Sequence, residues 1–345
     1  MRISKGVRWF AHGSLMALAI YLGSTYLIKS VTSVPSNPQQ ATAKQGNHPA
    51  ANDARFRSMF DAGDKALNDG LYSTALDNFL EAERSVDQLT DGQYELLKKS
   101  RLQIARSYDT SGESAGAQSV YRALANCAAR EGQGLLDAKQ FEGALARAQD
   151  AEEFSNHLTE GKRESLQWSI SLLVNSLRTL QRYPEAAQAQ QRLIDYLKTS
   201  TDDYDKVFGE AYVTLSSIYA EEKDWHGVEQ ALLLAIESCD RTLAAATQQF
   251  TGTPVLRNWA QYNLVIADYQ EGNIDTAFSK AEEFFAEYSQ PQDPTHPRNG
   301  AYHADDFAAL ALQMAKETKR QDAIDLWQKR APGGLKVITL HPVGH

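Results

Sequence analysis

The sequence predicts an all-α chain: an α-solenoid of about six to seven helical hairpins, TPR-like in the sense developed below, behind one N-terminal transmembrane helix. Three observations carry that prediction. A short phrase recurs along residues 54–330, in which a small or aromatic punctuator precedes a marker Ala and a further apolar residue follows about four positions on. Upstream of each marker runs a second apolar stripe with the three-to-four spacing of an amphipathic helix. Residues 9–28 carry no Asp, Glu, Lys or Arg. Repeated units of this kind bury their apolar faces only against their neighbours, so the repeat fixes the architecture before any local assignment does.

Taken in order, residues 1–8 form a basic start with Arg2, Lys5 and Arg8. Residues 9–28 follow as the anchor: twenty helical residues span about 30 Å, the thickness of a bilayer core. Trp9, Phe10 and Tyr26 sit where interfacial aromatics belong. Three basic residues precede the span and Lys29 follows it, so the positive-inside rule expects the N-terminus in the cytoplasm. The repeats would then lie across an inner (plasma) membrane, in the periplasm. The competing reading is a cleaved signal peptide, for which Val31-Thr32-Ser33 is the best small-residue site and stands well beyond the apolar block. Residues 29–53, rich in Ser, Pro, Gln, Ala and Asn, read as a flexible linker.

Net charge is −9, and the first 29 residues hold four basic groups and no acid, which leaves −13 on the rest. An acidic body repels phosphate backbones, so no nucleic-acid partner is expected. Cys127 and Cys239 read as small buried residues on helix faces, too distant in a row of repeats to pair.

Within residues 54–330 the markers are Ala75, Ala117, Ala144, Ala186, Val228, Ala277 and a degenerate copy at Ala323. Their spacings are 42, 27, 42, 42, 49 and 46 residues. The paired upstream stripes are Leu102, Ala105 and Tyr108; Leu172, Leu173 and Leu177; Leu215, Ile218 and Tyr219; Leu264, Val265 and Tyr269; Leu310, Ala311 and Met314. Each unit is therefore helix, short turn, helix. Small markers let two helix axes approach, and Tyr72, Phe79, Tyr121, Trp225 and Trp327 fill the wedges between hairpins. The 27-residue step is too short for a full unit, so trimmed helices or an interruption are expected there. Pro291 to Asn299 reads as a loop and 331–345 as a C-terminal tail.

In these residues the chain resembles the tetratricopeptide repeat family. The first unit matches its pattern with Gly63, Ala75, Phe79 and Ala82, the second with Ala105, Tyr108, Ala117 and Tyr121, and the fifth with Tyr219 and Trp225. The unit is longer than the family's usual length of about 34 residues, and the closing Pro is missing.

The resemblance implies a non-enzymatic scaffold or assembly factor that binds a protein or peptide in a groove lined by the first helix of each unit. In the fourth unit those positions are Trp168, Ser171, Asn175 and Thr179; in the sixth they are Trp259, Tyr262, Ile266 and Gln270, with Asn263 adjacent. Asn bonds an extended backbone, and aromatic rings hold side chains. Arg106 and Arg130 are candidate cations for a carboxylate clamp, but no Asn stands at the matching positions between them. Self-association is open, because the end of a solenoid exposes an apolar face unless capped.

No zinc pattern, phosphate loop or nucleophile elbow is present, so no metal, cofactor or enzymatic activity is expected. His303-Ala304-Asp305-Asp306 comes nearest to a site, and its acids already suit a helix N-terminus. Two alternatives stand beside the scaffold: a cytosol-facing import receptor of the mitochondrial type, and a metal-dependent hydrolase using the His303 region.

Overall fold

A computed structural model describes residues 49–199, 206–245, 253–290 and 303–331. Among the described residues there are thirteen α-helices and no strand. No helix among them is long and apolar enough to cross a membrane. The expected anchor at 9–28, the start at 1–8, most of the linker, the Pro291–Asn299 loop and nearly all of the tail lie outside the described residues. Residues 49–53, assigned to the linker by composition, form the first turns of a helix.

The helices are α1 (Pro49–Asn68), α2 (Tyr72–Arg84), α3 (Asp91–Ser111), α4 (Ser114–Asp137), α5 (Phe141–Asn156), α6 (Lys162–Thr179) and α7 (Tyr183–Thr199). There follow α8 (Lys206–Glu222), α9 (Trp225–Ala245), α10 (Thr253–Glu271), α11 (Ile274–Ser289), α12 (Ala304–Glu317) and α13 (Gln321–Arg330). The described residues fall into two compact units that meet within α7, between Leu193 and Ile194.

One turn accounts for the recurring phrase. Gly70, Gly112, Lys139, Gln181, Lys223, Gly272 and Lys319 all have positive φ, and each lies two residues before a helix begins. The next residue closes a Schellman bond to the preceding helix, as in Leu71 N–H to Ala66 O and Arg320 N–H to Ala315 O. The marker N–H then closes the first turn of the new helix, as Ala75 does on Leu71 O and Ala186 on Arg182 O. The same geometry corrects the last marker: the residue in this role is Ile324, bonded to Arg320 O, and not Ala323. Ala75, Ala144, Ala186 and Ala277 are fully buried, as close helix crossing requires.

The short step is also explained. Between Ala117 and Ala144 lies one untrimmed helix, α4, of 24 residues, with a turn of the same kind at each end. Helix α4 thus closes one hairpin and opens the next, and α5 is a single added helix. In this unit α1 packs beside α3, α2 beside α4, and α4 beside α6. Helix α3 meets α5 through Lys98 and Asp150, 2.6 Å apart. Helix α6, the first of its own pair, therefore takes the side occupied by the second helices α2 and α4.

Buried charge pins the N-terminal unit. Arg101, 1 % exposed, pairs with Glu83 at 2.6 Å and donates to the Phe79 carbonyl at 3.0 Å. Glu83 also meets Arg130, which pairs in turn with Glu131. Cys127 and Cys239 are buried and neither is in a disulfide. Among the wedge aromatics, Tyr72 meets Tyr108 edge-on and Tyr121 stacks on His157. In the C-terminal unit α8 packs beside α10, and Phe285 and Trp327 join α11 to α13 edge-on.

Candidate partner-binding surface

Helix α6 has one face committed to the core and another that faces out. Ser169, Ile170, Leu172, Leu173, Val174, Ser176 and Leu177 are buried. Trp168 and Ser171 are half-buried, and Asn175 and Thr179 are exposed. Their three-to-four spacing places these four on one stripe. The Ser171 hydroxyl donates to Gln167 O and the Thr179 hydroxyl to Asn175 O. Both hydroxyls are satisfied within the helix, and the Asn175 amide stands on the exposed part of the stripe.

Helix α10 is placed differently. Twelve of its nineteen residues are buried, among them Trp259, Tyr262 and Gln270. Tyr262 packs edge-on against Phe307 of α12, with ring centroids 5.5 Å apart. Asn263 and Ile266 are half-buried, and the Asn263 amide donates to Trp259 O at 2.8 Å. Neighbours on α8, α9, α11 and α12 enclose this helix, which narrows its accessible stripe to Asn263 and Ile266.

The candidate cations also differ. Arg106 is exposed on α3. Arg130 on α4 lies 2.8 Å from Glu83 and 2.9 Å from Glu131, so its guanidinium belongs to the ionic pin beneath the surface. Near that pin, burial foremost and then the Glu83 charge push the Cys127 thiol up to about 12.

A second polar cluster was not legible in the sequence. The Arg147 guanidinium lies 3.6 Å from the centre of the Tyr94 ring and bonds Asp91 at 2.7 Å and Glu95 at 3.1 Å. The Tyr94 hydroxyl donates to Asp150 at 2.8 Å. Burial, followed by the Asp150 charge, drives the Tyr94 hydroxyl far above the ordinary phenol range. Every polar group in this cluster is satisfied by a neighbour on α3 or α5, which makes it a clamp between those helices. The spacing of Arg147 and Asp150, one turn apart on α5, was its only sequence trace.

Asp306, in the His303 group, accepts the His303 backbone N–H at 2.7 Å and so caps α12. An open depression between α11 and α13 is lined by Asp275, Phe278, Glu282, Arg320 and Trp327. Its charged side chains are paired, Arg320 with Asp275 and Arg330 with Glu282.

No family model matches the chain, and no curated protein matches it in sequence. Solved structures do. The apo form of RapI is similar at 13% identity and TM-score 0.41, over 91% of this chain and 81% of that one. A tetratricopeptide repeat protein from Parabacteroides merdae is similar at 13% identity and TM-score 0.31, over 82% and 95%. BtubC (BKLC) from P. vanneervenii is similar at 14% identity and TM-score 0.37, over 86% and 95%. The helical-repeat architecture of this chain rests on its own turns and packing.

Proposed function

We propose that this chain is a non-enzymatic scaffold or assembly factor that holds a protein or peptide along the outer stripe of α6. The observation that carries this reading is the pairing, on one helix, of a fully buried face with an aligned stripe of Trp168, Ser171, Asn175 and Thr179. An indole beside an exposed amide suits an extended peptide, the ring holding a side chain and the amide bonding its backbone. In the C-terminal unit Asn263 and Ile266 would make the corresponding contribution.

The same reading places the repeats on the far side of an inner membrane, held by residues 9–28. Support for that comes from the sequence: an uncharged span of the right length with basic residues on its N-terminal side.

The test is crosslinking of the full-length protein in its own membrane, followed by capture, with native chain compared to Asn175→Ala and Asn263→Ala. Loss of the captured partner from Asn175→Ala supports the α6 stripe, and equal capture by all three removes it. Protease accessibility of the repeats in intact cells tests the topology separately.

A further inference from the structure

Three side chains with metal-ligand chemistry, drawn from two helices, converge in the C-terminal unit. His226 lies in the first turn of α9, and Glu229 follows three residues later on the same helix face. Glu271 is the last residue of α10. One ligand atom from each lies within 4.8 Å of the others, and His226 Nδ1 is 3.9 Å from a Glu271 carboxylate oxygen. Atoms bound to one zinc ion at about 2.1 Å stand up to ~4.2 Å apart, so a small side-chain rotation closes the set. The His226 side chain is 70% exposed, so its ring turns without disturbing packed atoms.

A second observation points to a cation. Asp268 precedes Glu271 by one turn of α10 and is fully buried. One of its oxygens lies 2.7 Å from Lys280 Nζ, and its Oδ1 has no hydrogen-bond partner. The same ammonium lies 3.1 Å from Glu229, which ties the buried carboxylate to the three surface ligands. Three carboxylates thus face one ammonium, an excess of two negative charges that a divalent ion would balance. Burial foremost, with Glu229 and Glu271 adding to it against Lys280, raises the Asp268 carboxyl above its ordinary range, as expected where carboxylates crowd.

We propose that His226, Glu229 and Glu271 bind a divalent transition-metal ion of the zinc class, with Asp268 and Lys280 behind them setting the charge of the site. An imidazole nitrogen with two carboxylates favours zinc over magnesium or calcium, which take oxygen sets. Three protein ligands leave a position for water or for a donor from a bound partner. The ion would fasten the start of α9 to the end of α10. No sequence pattern announces the site, because Glu271 comes from a different hairpin.

The test is calorimetric titration of zinc into the tag-free full-length chain, with thermal melting alongside, comparing native protein with His226→Ala and with His226→Ala/Glu271→Gln. The expected result is one equivalent bound at this site, a raised Tm, and affinity reduced about tenfold or more by the single change. Both changes are at accessible side chains, and circular dichroism of each variant checks that it is folded. Equal binding by the native chain and the double variant would place the metal on other histidines and overturn the proposal. So would an absence of saturable zinc binding by the folded native chain, or calcium binding as tight as zinc.

Discussion

The Phe79 ring of α2 lies against Gly63 of α1 so closely that a Cβ at Gly63 would stand 2.6 Å from the ring carbon Cε1. Ring carbons in a packed core cannot retreat without opening a void elsewhere, so the glycine sets the distance between the two helices. Gly63→Ala is expected to destabilise the protein by about 1–3 kcal/mol. Helix propensity alone argues the opposite, by about 1 kcal/mol in favour of alanine. Urea denaturation distinguishes them, and adding Phe79→Leu to Gly63→Ala should recover part of the loss.

Glu83 and Arg101 form a buried pair, and removing one member strands the other. Glu83→Gln is expected to cost roughly 3–5 kcal/mol by urea denaturation. The apolar pair Glu83→Leu/Arg101→Met should be closer to native stability than Glu83→Gln, because it leaves no buried charge and Arg130 keeps Glu131.

The turn residues give opposite signs. Lys223 sits at φ 62°, a conformation that disfavours side chains, so Lys223→Gly is expected to stabilise by about 0.5–1 kcal/mol. Gly112 has φ 78° and open space around its Cβ position. Gly112→Ala should therefore lose about 1 kcal/mol through the backbone alone. Thermal melts of the two variants, shifting in opposite directions, check the shared geometry.

Cys127 supplies a pH dependence. Its thiol is held neutral up to about 12 in the fold, against 9.0 for the ordinary thiol. Above pH 9 the unfolded chain loses this proton while the folded chain keeps it, so stability is full below 9 and falls as pH rises towards 12. The slope from one proton is about 1.4 kcal/mol per pH unit. Urea midpoints measured from pH 8 to 11 should fall less steeply in Cys127→Ala than in the native chain. In native protein at pH 8, Cys127 should also resist iodoacetamide until urea unfolds it.

How much of this was readable follows from the turns themselves. Where the left-handed residue is glycine, at Gly70, Gly112 and Gly272, the phrase was plain. Where it is Lys139, Gln181, Lys223 or Lys319, the same backbone carries a residue that gives no turn signal, and only the marker downstream betrayed it. At Lys319 even the marker misled, since a neighbouring alanine at 323 masked the role of Ile324. The outer stripe of α6 followed from helical spacing. The enclosure of α10 did not, because spacing finds a stripe without revealing that Phe307, on a helix beyond the next hairpin turn, covers it. Arg130 was misleading for a similar reason: its carboxylate partners include Glu83 on another helix.

Helix α5 has a consequence for how such a chain can grow. Copying whole pairs preserves which member of each pair looks outward, so any recognition surface extends in kind. One helix inserted alone inverts that assignment for the pair that follows it in the N-terminal unit, much as an odd number of stitches turns the next row of knitting to its reverse. Residues selected on α6 for contact with a partner therefore share their side with the outward residues of α2 and α4, and it is on those two helices that an extension of the same contact should be sought.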